Sequence, residues 1–109
     1  MSKLFSAGIL SLATLTVHAA DVPPEGKRIF DQWCWSCHGP GPDKPGTLGL
    51  DAKYGGTLPA LLEERRDLNP ALVKYFVRNG IYMMTPFRKT EITDAQLEAL
   101  AAYLSRPKP

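Results

Sequence analysis

The residues best equipped for chemistry sit together. The stretch "WCWSCHGPG", Trp33 to Gly41, holds both cysteines, Cys34 and Cys37, with His38 directly after; the one other histidine is His18 near the start. Two thiols and an imidazole within five residues can ligate a metal, exchange a disulfide, or be joined covalently to another group. A Cys34–Cys37 disulfide would close a very small loop, and such a bridge contributes little to fold stability. Structural zinc wants four N or S ligands, and once a leader carrying His18 is removed the chain has only Cys34, Cys37 and His38. A thioredoxin-like dithiol normally sits on a βαβ framework, and no stretch of strand-type alternation is present here.

What remains is C-x-x-C-H, the attachment pattern of c-type haem. Each position has a chemical reason. Cys34 and Cys37 lie one helical turn apart, point the same way, and can each add across a haem vinyl group to form a thioether. His38 follows directly and is held where its imidazole can ligate iron. The iron then has a further axial position, which a soft thioether fills well and which an open site would leave to gas binding or peroxide chemistry. "NGIYMMTPF", Asn79 to Phe87, offers Met83 and Met84. In a helical protein without haem, adjacent methionines would be plain core gap-fillers.

The elements that must position these groups follow from pattern. The first twenty residues read as a removable secretory leader: Lys3 supplies a positive charge, Leu4 to Val17 form an apolar run, and Val17-His18-Ala19 places small residues for a peptidase, with cleavage after Ala19 or Ala20. That run is short and interrupted for a membrane span, so no stable membrane insertion is expected. Residues 21–109 then form one exported, periplasmic domain. The full chain, with 44% hydrophobic and 22% charged residues, is ordinary for a folded protein, and its formal net charge of +2 with mixed signs provides no basic stripe for nucleic acid.

An all-helical fold is expected, with four short helices. The first carries Gly26, Phe30, Trp33 and Cys37 on one face, entered through Pro23 and Pro24. A short helix starts near Pro59 with Leu58, Leu61 and Leu62, its Glu63, Glu64, Arg65 and Arg66 forming a solvated face. The third has Asn69 as N-cap, Pro70 in the first position, Leu72, Val73, Phe76 and Val77 as its stripe, and Gly80 as terminator. The last opens with Thr93 and Gln96, a capping-box pair, carries Leu97, Leu100, Ala101 and Leu104, and stops before Pro107.

Between the first two helices runs a loop from Gly39 to Thr57 with six glycines and three prolines. A structureless loop of that length inside a compact domain calls for something to wrap. A mature chain of about 90 residues in short helices also buries too little to dispense with a staple or cofactor. Both point to one covalently bound haem as part of the core.

These residues together resemble class I cytochrome c over essentially the whole mature chain. "CWSCH" at the end of a first helix, the Gly/Pro-rich loop, "RNGIYMMTPF", and a final amphipathic helix ending in "AAYLS" carry the resemblance. It implies a helical shell around one haem with an exposed edge, and a crossing of first and last helices through Gly26, Phe30 and Tyr103. It also implies Met84 as the second axial ligand, since counting forward from Gly80 and back from Phe87 both land there. Thr85 stands where the family has proline, with Pro86 one later, which leaves Met83 as the alternative. A backbone carbonyl near Pro40 is expected to accept the Nδ1 proton of His38. Lys53, Tyr54 and Arg78 are candidates for the haem propionates, each otherwise an ordinary surface or loop residue.

The short chain, the compressed Leu58 to Leu68 segment and "VRNGIYMMTPF" are similar to the cytochrome subunits of p-cresol methylhydroxylase and related 4-alkylphenol or eugenol hydroxylases. That resemblance implies an electron-transfer protein, not an enzyme in its own right. It would accept electrons singly from a flavoprotein subunit and pass them to another cytochrome or a copper protein. The alternatives are a diffusible periplasmic carrier of a respiratory chain, or a haem-based ligand-binding sensor in which neither methionine binds iron.

Overall fold

The computed structural model describes Ala13 and residues 24–109. The expected leader and its cleavage point lie outside the described residues apart from Ala13. Five helices and one 3-10 turn are present among them: α1 (Glu25–Trp33), α2 (Trp35–His38), α3 (Pro45–Tyr54), the 3-10 turn Leu62–Glu64, α4 (Pro70–Asn79) and α5 (Asp94–Leu104). The fold is all-α; among the described residues the one β-type pairing is an isolated antiparallel bridge between Ile81 and Met84.

The best-marked helices are the ones whose ends carry side-chain caps. Asn69 accepts the Leu72 amide at 2.9 Å, Pro70 occupies the first turn where its missing N–H is harmless, and α4 stops at Gly80. Thr93 and Gln96 form a reciprocal capping box: the Thr93 amide donates to Gln96 Oε1 at 2.9 Å, and the Gln96 amide to Thr93 Oγ1 at 3.2 Å.

The core lies where α1, α4 and α5 meet. Ile29 and Phe30 come from α1, Val73 and Val77 from α4, Leu97, Leu100, Ala101 and Leu104 from α5, and Ile92 from the preceding loop. Phe30, Ile92 and Leu100 are fully buried, and each such side chain contributes roughly 1.5–3 kcal/mol. α1 and α5 cross at Gly26, where any side chain would run into the Ala99 carbonyl and Cβ of Tyr103. Next to it Phe30 and Tyr103 pack with ring centroids 6.4 Å apart. The Tyr103 hydroxyl donates to Glu63 and so ties the 3-10 turn to α5.

Four expectations need correction. The first helix is not continuous: it breaks at Cys34, whose carbonyl accepts from both Cys37 (3.1 Å) and His38 (2.8 Å), so the attachment residues straddle the break. The Gly39–Thr57 segment is not structureless. It contains α3, opened by Pro45 and closed by Gly55 in the left-handed region (φ 54°), a cap pair that was present in the sequence. None of its residues is buried, so periodicity did not betray it. The helix expected from Pro59 shrinks to the single 3-10 turn, and Arg65 is not on a solvated face but only 4% exposed.

Candidate haem site

An apolar cleft of about 180 Å³, open on one side, cuts into the core. Cys34 and His38 supply one wall, Leu50, Lys53 and Tyr54 of α3 another, and Leu72 and Phe76 of α4 with Leu100 and Leu104 of α5 the back. Leu72 and Phe76 belong to the apolar stripe of α4 yet are only half-buried, because their side of the helix faces this cleft and not another helix.

The structure brings Cys34 and His38 to the cleft but not both thiols, although the spacing was expected to point Cys34 and Cys37 the same way. Neither cysteine is in a disulfide; Cys34 lines the cleft, whereas Cys37 is exposed. Burial, reinforced by the neighbouring Cys37, pushes the Cys34 thiol up to about 12, so it is a neutral S–H at ordinary pH. A redox dithiol needs the opposite, a depressed thiolate. Among the described residues no group of three or more His, Cys, Asp and Glu side chains could hold a metal ion such as zinc between them.

His38 is half-buried, and burial holds its imidazole below the usual histidine range, so it is neutral and available as a ligand. Its Nδ1 is buried and has no hydrogen-bond partner. The expected bond to a carbonyl near Pro40 is therefore not formed. Pro40 follows α2 into solvent, and the atoms that close around the ring come from Gly46 of α3. With Nδ1 enclosed, Nε2 is the nitrogen a metal can reach.

Met84 also lines the cleft, partly buried and packed against the core, while Met83 is 91% exposed. A tight turn separates them. Ile81 and Met84 exchange backbone hydrogen bonds of 3.0 and 2.9 Å, which puts Tyr82 and Met83 at the tip. Tyr82 is held at φ 50°, uncommon for an aromatic residue and a mark of local strain. The strip after the turn is anchored to α4 at Phe87: its amide donates to the Val77 carbonyl at 2.8 Å, and Arg78 Nη1 donates to its carbonyl at 3.1 Å. Trp33 packs edge-on against Phe87, centroids 5.9 Å apart, so the end of α1 braces the same strip.

Of the three residues considered for the rim, Lys53 and Tyr54 line the cleft. Arg78 does not; it is committed to Phe87 and to Asp94 at 2.9 Å. Arg65, which sequence reasoning passed over, is the buried cation of the cleft wall. Its guanidinium grips Asp67 through bonds of 2.6 and 2.5 Å and lies 4.8 Å from the Tyr54 ring. Hydrogen bonding to Arg65 holds the Asp67 carboxyl below its ordinary range. Within "EERRD" nothing in spacing separates Arg65 from Arg66, and only the path of the loop turns one inward.

The donor set and the cleft fit a haem: two thiols three residues apart, an imidazole with one buried and one reachable nitrogen, a methionine on the same cleft, and apolar walls. Neither the curated proteins nor the solved structures compared with the chain gave a match. The model of the family described as cytochrome C oxidase, cbb3-type, subunit III matches residues 21–104. The chain therefore belongs to that cytochrome c family, which implies haem c and makes it a haem-based electron-transfer protein rather than an enzyme.

Proposed function

We propose that this chain is a periplasmic one-electron carrier, exported through a leader cleaved near Ala20, that binds a single haem c through thioethers to Cys34 and Cys37. His38 and Met84 are its axial iron ligands. The observation that carries this reading is that Cys34, His38 and Met84 line one apolar cleft while Met83 stands in solvent. Bound haem supplies a one-electron Fe(III)/Fe(II) couple, and a thioether ligand favours the reduced state.

The chain's own residues do the rest. Cys34 and Cys37 supply the two thiols, three residues apart. The neutral His38 offers Nε2. The Ile81–Met84 turn holds Met84 at the same cleft, and Leu72, Phe76, Leu100 and Leu104 keep water from the back of the cleft. Arg65 and Lys53 put positive charge at the wall, where a carboxylate-bearing rim fits. A pyridine haemochrome spectrum of the purified protein, with mass mapping of the Trp33–His38 peptide, tests the attachment. Haem that is lost in acid organic solvent would overturn it.

The proposed donor is a flavoprotein subunit acting on a 4-alkylphenol, on the likeness to p-cresol methylhydroxylase cytochromes, and the proposed acceptor is another cytochrome or a copper protein. A second reading is favoured by the family's description as an oxidase subunit: a carrier serving a respiratory chain. Among the described residues no helix is long and apolar enough to cross a membrane. Purification without a tag separates the two. Co-elution with a flavin-containing chain in fixed ratio supports the first, and co-elution with a membrane oxidase supports the second.

A further inference from the structure

Helix α3 touches the attachment turn at three points. A methyl group on Gly46 would lie 2.7 Å from Cε1 and 2.8 Å from Nδ1 of His38, and 2.8 Å from the Cys37 carbonyl oxygen. One residue on, the Thr47 hydroxyl donates to the Gly39 carbonyl at 2.8 Å. One turn earlier, Lys44 is 8% exposed and carries its Nζ 3.9 Å from the centroid of the Trp35 ring. The first turn of α3 is thus fastened on either side of the place where its bare backbone meets the imidazole.

Two features make that contact more than packing. His38 Nδ1 is buried with no hydrogen-bond partner, so no polar contact fixes the ring, and its plane is set by what it lies against. Glycine is a poor helix former, so a glycine in a short helix invites a reason. α3 has two glycines that answer differently: a side chain at Gly49 would meet nothing within 4 Å, whereas one at Gly46, in the first turn, would strike the imidazole.

We propose that Gly46 is a positioning residue for His38: its bare backbone is the backstop that sets the plane of the imidazole, and α3 is fastened to the attachment turn to keep that backstop in place. This rests on His38 being an axial iron ligand. It assigns to α3, which buries no residue of its own, the task of orienting that ligand.

The test uses ferric holoprotein converted to its cyanide adduct, where cyanide replaces the methionine and the haem-methyl proton resonances report the plane of the remaining axial imidazole. Gly46→Ala shifts or reorders those resonances, and Gly49→Ala leaves them as in the parent. Unchanged resonances in Gly46→Ala overturn the proposal. If Gly46→Ala yields no holoprotein, Thr47→Val carries the test by releasing one fastening without entering the ring's space. It should shift the same resonances by less, and unchanged resonances there overturn the proposal equally. His38→Ala separates the two layers of the argument. A parent-like imidazole signature in His38→Ala removes the ligand assignment itself. Its loss there, with Gly46→Ala unchanged, removes only the backstop.

Discussion

At Met84 and Met83 two chemically identical side chains, adjacent in sequence, are separated by a turn of the backbone. Met84 packs against the core and lines the cleft; Met83 is in solvent. Replacing Met84 with Ala is expected to open the axial position, so that carbon monoxide binds the reduced protein promptly and the low-spin His/Met spectrum is lost. Met83→Ala should leave both unchanged, and the reverse pattern would exchange the two assignments. Asp67 supports a second prediction at this scale. Its carboxyl is depressed by Arg65, so the pair adds stability at all pH values above the ordinary aspartate range and loses it as pH falls through the lowered value. Asp67→Asn should therefore be less stable than the parent at neutral pH. The gap should hold down to about pH 4 and close below it, as read by denaturant melts across pH. Because the Asp67 side chain is 41% exposed, solvent screens the pair and the gap should be modest.

Among the elements, the strip from Gly80 to Phe87 depends on how α4 ends. Gly80 adopts φ 69° and ψ 176°, a region essentially reserved for glycine, and the Met84 carbonyl sits against its Cα. Gly80→Ala should cost about 1–3 kcal/mol in equilibrium unfolding and weaken methionine ligation along with it. Thr93→Ala, which removes half of the capping box of α5 far from the cleft, should cost about 1 kcal/mol and leave the haem spectrum unchanged. A spectrum that moved equally in both variants would mean that the Gly80 effect is only global loosening. The same two helices were the most legible in sequence, because Asn69-Pro70 and Thr93…Gln96 are local hydrogen-bonding devices that work whatever packs around them. α3 was missed for the opposite reason. It turns no apolar stripe into the core, so the only signals were Pro45 and Gly55 in a segment already crowded with both.

For the whole molecule, the decisive fact is that the cleft opens along one side of the core. Leu72 and Phe76 have apolar surface turned toward it, and in a chain this short that is surface which the fold leaves unburied. Haem is then part of the core as well as its cargo. A Cys34→Ser, Cys37→Ser double variant recovered without haem should keep some helical signal but melt less cooperatively, with Tm lower by at least ~10 °C. An unchanged melting curve in circular dichroism would show that α1, α4 and α5 suffice by themselves.

The sequence by itself determined the C-x-x-C-H turn, the caps of α4 and α5 and the all-helical class. Each of these rests on residues that are neighbours along the chain or on a periodicity that repeats within one element. Only the tertiary structure decided which of Arg65 and Arg66 is buried, which methionine faces the cleft, that α3 exists, and that Gly46 and not a carbonyl near Pro40 lies against His38. Those outcomes depend on how a loop is routed across a surface made by other elements, and no residue type or spacing encodes the position of a surface still to be assembled.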